Sequence, residues 1–426
     1  MTDPVPVFRS MAASHARCFW LDGGGAREWS GRRSIVGWLE PDDVSLTYDA
    51  AAREVTRHAG GRAEVVGSDV FDVLAAEMSA GPSDASWFGY LGYACRPDLP
   101  ASPDPGMPDA VWMRPSHVRM FEHAADGGFE TVARAPSSTT VTVVEEGALA
   151  PVSKPPPIYA AAFDRVQEHL HAGNTYEVNL TYRAEAASDL DPVTAYLRLR
   201  DLNPAPYAGF LQHDVPGARA WLLSSSPERY ALVSADRTLE TKPIKGTTPR
   251  GATTAEDEEA RERLRSDPKF RAENLMIVDL LRNDLSVVCE PGTVVVPTLM
   301  DVESYESVHQ LVSTVRGRLR DDVTTVDALR ALFPAGSMTG APKLRTMQVV
   351  EEVEQTPRGV YAGAFGWVSA DGRADLGVVI RSLMTAGDGR YVLGTGGGIT
   401  VRSDVEEEWA ESRWKAERLL RVFDER

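Results

Sequence analysis

Cysteine is scarce in this chain: three in 426 residues, at Cys18, Cys95 and Cys289. They stand in ARCFW, YACRP and VVCEP, with no metal-like or redox spacing, so each reads as a buried small hydrophobe and no disulfide is expected. Long apolar runs are missing too, which argues against a membrane span. The opening MTDPVPVFRS has no basic stretch followed by an apolar one, so the expectation is a cytoplasmic protein rather than a secreted one. Positive charge is in short supply. With 45 Lys and Arg against 62 Asp and Glu the net charge is −17, and no basic stripe offers itself to a phosphate backbone, so no nucleic-acid partner is expected. An anionic substrate would need cationic or metal help confined to its own site.

What is present is ample core material, 43% hydrophobic, in a length that suggests two or three domain-sized units. Residues 1–150 read as short apolar stretches, CFWL (18–21), SIVGWL (34–39) and SLTY (45–48), broken by GGG (23–25) and SPDPGMPD (102–109), a pattern of strands and turns with some helix. The proline-rich APVSKPPP (150–157) is the candidate linker to a second region, 155–424. There IYAAAFDRVQEHLHAG has helical spacing with a glycine end, and YEVNLTYR (176–183) reads as a strand. Asp267-Pro268 caps an apolar helix running to about Arg282. YAGAFGWVS (361–369), LGVVIRSLMT (376–385) and RYVLGTGGGITV (390–401) read as strands, and Ser403 with Glu406 forms a capping-box pattern before a final helix. Helices and strands are interspersed without the regular alternation of a parallel sheet, which makes the class α+β.

Several positions carry chemistry. Lys245 lies between residues of a tight turn in PIKGTTPRG (243–251), where burial would lower its pKa and make it a nucleophile; the plainer account is a surface lysine beside a turn. Glu273 sits in a helix so apolar that its carboxylate, once buried, must be paired or metal-bound. Glu408 and Glu411 share one face of the last helix with Lys415 a turn on, either a solvated acidic face or a ligand pair. Oxygen ligands from few carboxylates suit magnesium. In GTGGGI (394–399) Gly396, Gly397 and Gly398 would let backbone amides approach an anion, or simply mark a bulge. Arg381 suits bidentate capture of a carboxylate or a structural ion pair. Glu228 in SSSPERY on its own reads as a surface partner of Arg229, and His309 on its own as a satisfied core histidine.

The ordered set PIKGTTPRG, ENLMIVDLLRNDL (273–285), HQLVST (309–314), FPAGSMTGAPK (333–343) and GTGGGI resembles the chorismate-utilising enzymes, over roughly 155–420 clearly and over the first 150 residues faintly, as an anthranilate synthase component I-like region. The resemblance implies two packed antiparallel β-sheets flanked by helices. It implies a magnesium ion held by Glu273 and Glu411, with Glu408 through water, gripping a substrate carboxylate. It matches Tyr361, Arg381, the glycines of GTGGGI and Lys415 to substrate-binding positions, and Thr339 and His309 to active-site positions. Within the family, anthranilate synthases usually have alanine at Lys245 and histidine at Asn274, whereas isochorismate and salicylate synthases carry a water-activating lysine where this chain has Glu177. The typical family residue at Glu177 is glutamine.

The branch that remains aminates chorismate. By the family mechanism the Lys245 amine attacks ring carbon two, the carbon-four hydroxyl leaves with a proton from Glu228, and ammonia then adds at carbon four and ejects the lysine. The expected product is 4-amino-4-deoxychorismate, a precursor of para-aminobenzoate, for folate or for aminobenzoate-derived metabolites. No cysteine has the glycine-flanked turn of an amidotransferase nucleophile, so a separate glutamine amidotransferase subunit is expected to supply ammonia. Alternatives are anthranilate or aminodeoxyisochorismate formation, or a non-catalytic subunit that binds chorismate or an amino acid.

Overall fold

A computed structural model describes residues 3–23, 33–123, 154–305 and 308–424. Two antiparallel sheets form it. The first has nine strands in the spatial order Gly340–Ala341, Glu177–Ala187, Arg390–Ile399, Ser382–Thr385, Ala220–Ser226, Tyr207–His213, Arg17–Asp22, Arg33–Trp38 and His117–Glu122. The second has twelve and runs from Ile244–Pro249 and Val308–Arg318 through Thr238–Lys242, Arg229–Val233, Ala374–Val378 and Ala364–Ser369 to the early strands, Ser86–Leu91 through Arg62–Gly67. The α+β class and the paired antiparallel sheets are as expected. Strands from before residue 123 and after residue 154 are hydrogen-bonded in both sheets, through Arg17–Asp22 on Tyr207–His213 and through Ser86–Leu91 on Ala364–Ser369.

The short apolar runs are buried on both sides. In CFWL, Phe19 points between the sheets and stacks on Phe88 at 4.0 Å, while Trp20 points outward against Phe8, Tyr196 and Phe210 under the helices Pro4–Ser14 and Pro192–Leu202. This is the period-two alternation of a strand with a layer on each face. The three cysteines are free and buried.

Three local expectations change, and the glycine end expected of the helix after residue 157 stands. The helix capped by Asp267 runs Pro268–Val288 rather than stopping near Arg282, because Leu285 and Val288 continue its buried face. LGVVIRSLMT is two strands, Ala374–Val378 in the second sheet and Ser382–Thr385 in the first, with Arg381 in the left-handed region at φ 52° where the chain crosses. The final helix, Val405–Leu420, is capped by Asp404, whose carboxylate accepts from the amides of Glu406 and Glu407; the Ser403 hydroxyl bonds Glu408 instead. Helix Pro157–His171 ends at Ala172 with Gly173 left-handed behind it. Gly24, Gly25 and the linker residues 150–153 lie outside the described residues.

Candidate active site

Two sheet crossings build one wall of a cavity. Between Ala220–Ser226 and Arg229–Val233 the chain passes from the first sheet to the second, placing Glu228 in the passage; Arg381 occupies the return passage. The crossings are tied by Val378 N–H to Glu228 O at 2.9 Å and Ser225 N–H to Arg381 O at 3.2 Å. Both side chains line a cavity of about 940 Å³, open mouth included, with Lys245, Lys269, Glu273, Gln310, Ser337, Tyr361, Glu408, Glu411, Lys415 and the run Gly394–Gly398.

Lys245 is not in a simple turn. It lies on the edge strand Ile244–Pro249, whose register against Val308–Arg318 shifts between Ile244 and Thr247, with Gly246 at φ 95°. This bulge turns the lysine inward. The residue is 8% exposed, and its ammonium forms an ion pair with Glu177, which is fully buried. Burial pulls the lysine pKa down, but the carboxylates of Glu177, Glu273 and Glu228 outweigh it and the net shift is upward. The lowered pKa expected from burial is therefore corrected: the ion-paired Glu177, aided by Glu273 and Glu228, holds the resting Lys245 as an ammonium.

Glu228 is buried, and Ser337 Oγ donates to its Oε1 at 2.6 Å. Burial raises its pKa to about 7, only partly offset by Ser337 and Lys245. It is not paired with Arg229, which binds Glu240 and Tyr207. Glu273 is likewise pushed up to about 7 by burial, and its Oε1 is buried with no partner. On the last helix Glu408 accepts from Lys269 and Ser403, both at 2.8 Å, and Glu411 pairs with Lys415 at 2.8 Å, which holds its pKa down. Among the described residues no three acidic, histidine or cysteine side chains converge on one point as a ready metal shell.

GTGGGI is part of the strand Arg390–Ile399, as the reading of 390–401 expects, and pairs residue by residue with Val178–Arg183. Its ladder to Ser382–Thr385 contains Met384↔Val392, and from Gly394 onward that edge borders the cavity instead. The glycines leave room for side chains. A Cβ on Gly394 would fall 2.1 Å from the Tyr361 ring, and one on Gly398 would fall 2.4 Å from Glu177 Oε1 and 3.0 Å from Lys245 Nζ. Lys415 Nζ donates to Gly396 O at 2.9 Å. Tyr361 is held by the Arg183 guanidinium over its ring. Arg381 forms no ion pair among the described residues, and its guanidinium lies 5.9 Å from the centroid of the Trp414 ring, facing the cavity.

Two expected site residues lie off the cavity lining. His309 is 1% exposed between Ser304 Oγ (2.7 Å) and Asp257 Oδ1 (3.0 Å). Thr339 is fully buried, and its carbonyl accepts from Asn179 N–H at 2.9 Å, holding the segment behind Ser337. Sequence reasoning missed Gln310, which follows His309 on Val308–Arg318 and so faces the opposite way, into the cavity, with a buried Oε1 that has no partner. Period-two alternation is the signal that could have found it. Lys269, one turn before Glu273, was also missed.

The fold and this wall define the class: the chain belongs to the chorismate binding enzyme family, matched over residues 16–421. It is 38% identical to an aminodeoxychorismate synthase of Streptomyces pristinaespiralis, over 98% of this chain and 63% of that protein, so the chain spans less than two thirds of that relative's length. An anthranilate synthase component 1 of Streptomyces coelicolor is 37% identical over 78% of this chain and 71% of its own. Among solved structures, anthranilate synthase component I from Streptococcus pneumoniae superposes with a TM-score of 0.73 at 25% identity, covering 92% of both chains.

Proposed function

We propose that the chain converts chorismate and ammonia to 4-amino-4-deoxychorismate through a covalent adduct on Lys245. The observation that carries this reading is the placement of the Lys245 ammonium and the Glu228 carboxyl on one cavity wall, a nucleophile and an acid in a single pocket. Because Glu228 is raised to about 7, a large fraction is protonated near neutral pH and can give its proton to the departing carbon-four hydroxyl. Arg381, Lys415 and Tyr361 bind and orient the substrate, the first two as carboxylate partners in a protein of net charge −17. Asn274 is buried against Leu311 and Ser313, so it anchors the helix that carries Glu273 instead of facing the substrate.

The donor set fits magnesium, since the unpaired buried Glu273 Oε1 and the carboxylates of Glu408 and Glu411 are all hard oxygen ligands. When bound, magnesium supplies charge neutralisation and orientation for a substrate carboxylate. Every residue lining the cavity falls between 179 and 419, which supports assigning the site to the 155–424 region and a scaffolding role to 1–150. Ammonia comes from a separate glutamine amidotransferase subunit in this reading. No helix of the described residues is long and apolar enough to cross a membrane, and we place the protein in the cytoplasm, where buried free thiols persist.

The test is product analysis with chorismate, magnesium and an ammonium salt. 4-Amino-4-deoxychorismate is expected. Anthranilate as the main product would favour the second reading, which the Streptomyces coelicolor relative keeps open. No turnover under any magnesium concentration would point to a binding subunit.

A further inference from the structure

We propose that Glu177 is the base that takes the proton from Lys245 and so frees the amine for attack. The inference rests on the reading above and deepens it at one atom. The Lys245 ammonium has one hydrogen-bond partner among the described residues, Glu177 Oε1. The other carboxylates facing it, Glu273 from the helix Pro268–Val288 and Glu228 from the sheet crossing, act at longer range. Lys269 and Glu408 stand beyond Glu273.

Glu177 is 0% exposed, and its second oxygen, Oε2, is buried with no partner among the described residues, an unusual state for a carboxylate whose only role is structural. The fold also makes space for this contact. Gly398 opposes the pair, and any side chain there would strike both Glu177 Oε1 and Lys245 Nζ.

The step balances. A proton moves from the Lys245 ammonium to the Glu177 carboxylate, leaving a neutral amine and a neutral acid. The amine lone pair forms the bond to ring carbon two, and the two ring double bonds each shift by one position. The carbon-four to oxygen bond then breaks, and the oxygen departs as water with the proton of Glu228. The lysine nitrogen remains as a secondary ammonium. When ammonia later adds at carbon four, the electron flow reverses, the lysine leaves as a neutral amine, and Glu177 returns its proton.

The experiment is single-turnover adduct formation with chorismate and magnesium and without ammonia, followed by intact-protein mass spectrometry across about pH 6–10. Wild type, Glu177→Gln and Glu177→Asp are compared. Glu177→Gln is expected to form the adduct about 10²-fold or more slowly near neutral pH, with the deficit shrinking as alkali removes the proton instead. Glu177→Asp, which keeps a carboxylate, recovers part of the rate and guards against a folding defect. A mere counter-ion predicts the opposite, because removing a negative charge beside an ammonium lowers its pKa and makes the amine more available. An undiminished or faster Glu177→Gln rate near neutral pH, in a protein whose wild type forms the adduct, overturns the proton-transfer role alone. Absence of any adduct in wild type overturns the chorismate-amination reading, and this inference with it.

Discussion

At the scale of single residues, function here depends on where charge is buried. Glu228 keeps its proton to about 7 in the folded chain, against an ordinary value of 4.5. The sign follows. Below the ordinary value the carboxyl is neutral in both states and burial carries no penalty; between the two values the folded chain holds the extra proton, so stability falls as pH rises; above about 7 the full penalty is present. Glu228→Gln should therefore unfold at higher denaturant than wild type at alkaline pH, by up to about 2–3 kcal/mol, and match it under acid conditions. Parallel urea titrations near pH 5 and pH 8 (about three units apart) check this, and equal gains at both would show that the shift is not electrostatic. The proposed acid role of Glu228 predicts that activity moves the same way and is lost as pH rises through about 7. For Glu273, the Oε1 that has no partner among the described residues makes Glu273→Gln a direct probe of the proposed magnesium site. Magnesium affinity measured calorimetrically in the presence of chorismate should fall at least about tenfold, and an unchanged affinity would move the metal elsewhere.

At the scale of elements, the site is a product of irregularities. Lys245 is aimed by a strand bulge, and Glu228 and Arg381 stand where the chain changes sheets. Gly398 is where the backbone comes closest to the Glu177–Lys245 pair. Gly398→Ala puts a methyl carbon 2.4 Å from Glu177 Oε1, so it should lower adduct formation by about 10²-fold while the sheet ladder, and hence the melting temperature, changes little. A fully active Gly398→Ala would mean that Glu177 and Lys245 separate without consequence.

These features explain what the sequence could and could not convey. Asp267-Pro268 announces a helix start, because an N-cap carboxylate and a proline without an amide both satisfy local rules. The break inside LGVVIRSLMT leaves no such mark. Its residues stay apolar across the crossing, and only the tertiary change of sheet demands the left-handed Arg381. HQLVST marked a segment that carries site residues but not which of them looks inward, so His309 stood out for its chemistry while Gln310 holds the cavity position. The raised pKa of Lys245 was illegible because all three carboxylates that cause it, Glu177, Glu273 and Glu228, come from other elements and meet the lysine only in the folded chain.

At the scale of the whole molecule, two sheets share one core, and the early strands buttress a site built wholly from later residues. All three thiols are buried and pushed above their ordinary range by that burial, so none is a ready nucleophile toward glutamine. Glutamine alone should give no more than background turnover, while an ammonium salt at raised pH, where free ammonia is present, should support steady synthesis. Efficient glutamine use by the pure chain would contradict the need for a partner. Most directly, the central claim is tested by the mass of the intact protein after mixing with chorismate and magnesium in the absence of ammonia. The account predicts a population heavier by chorismate less one water, mapped to the peptide carrying Lys245, absent in Lys245→Ala and discharged as 4-amino-4-deoxychorismate when ammonium is added; unmodified wild-type protein that still makes that product would contradict it.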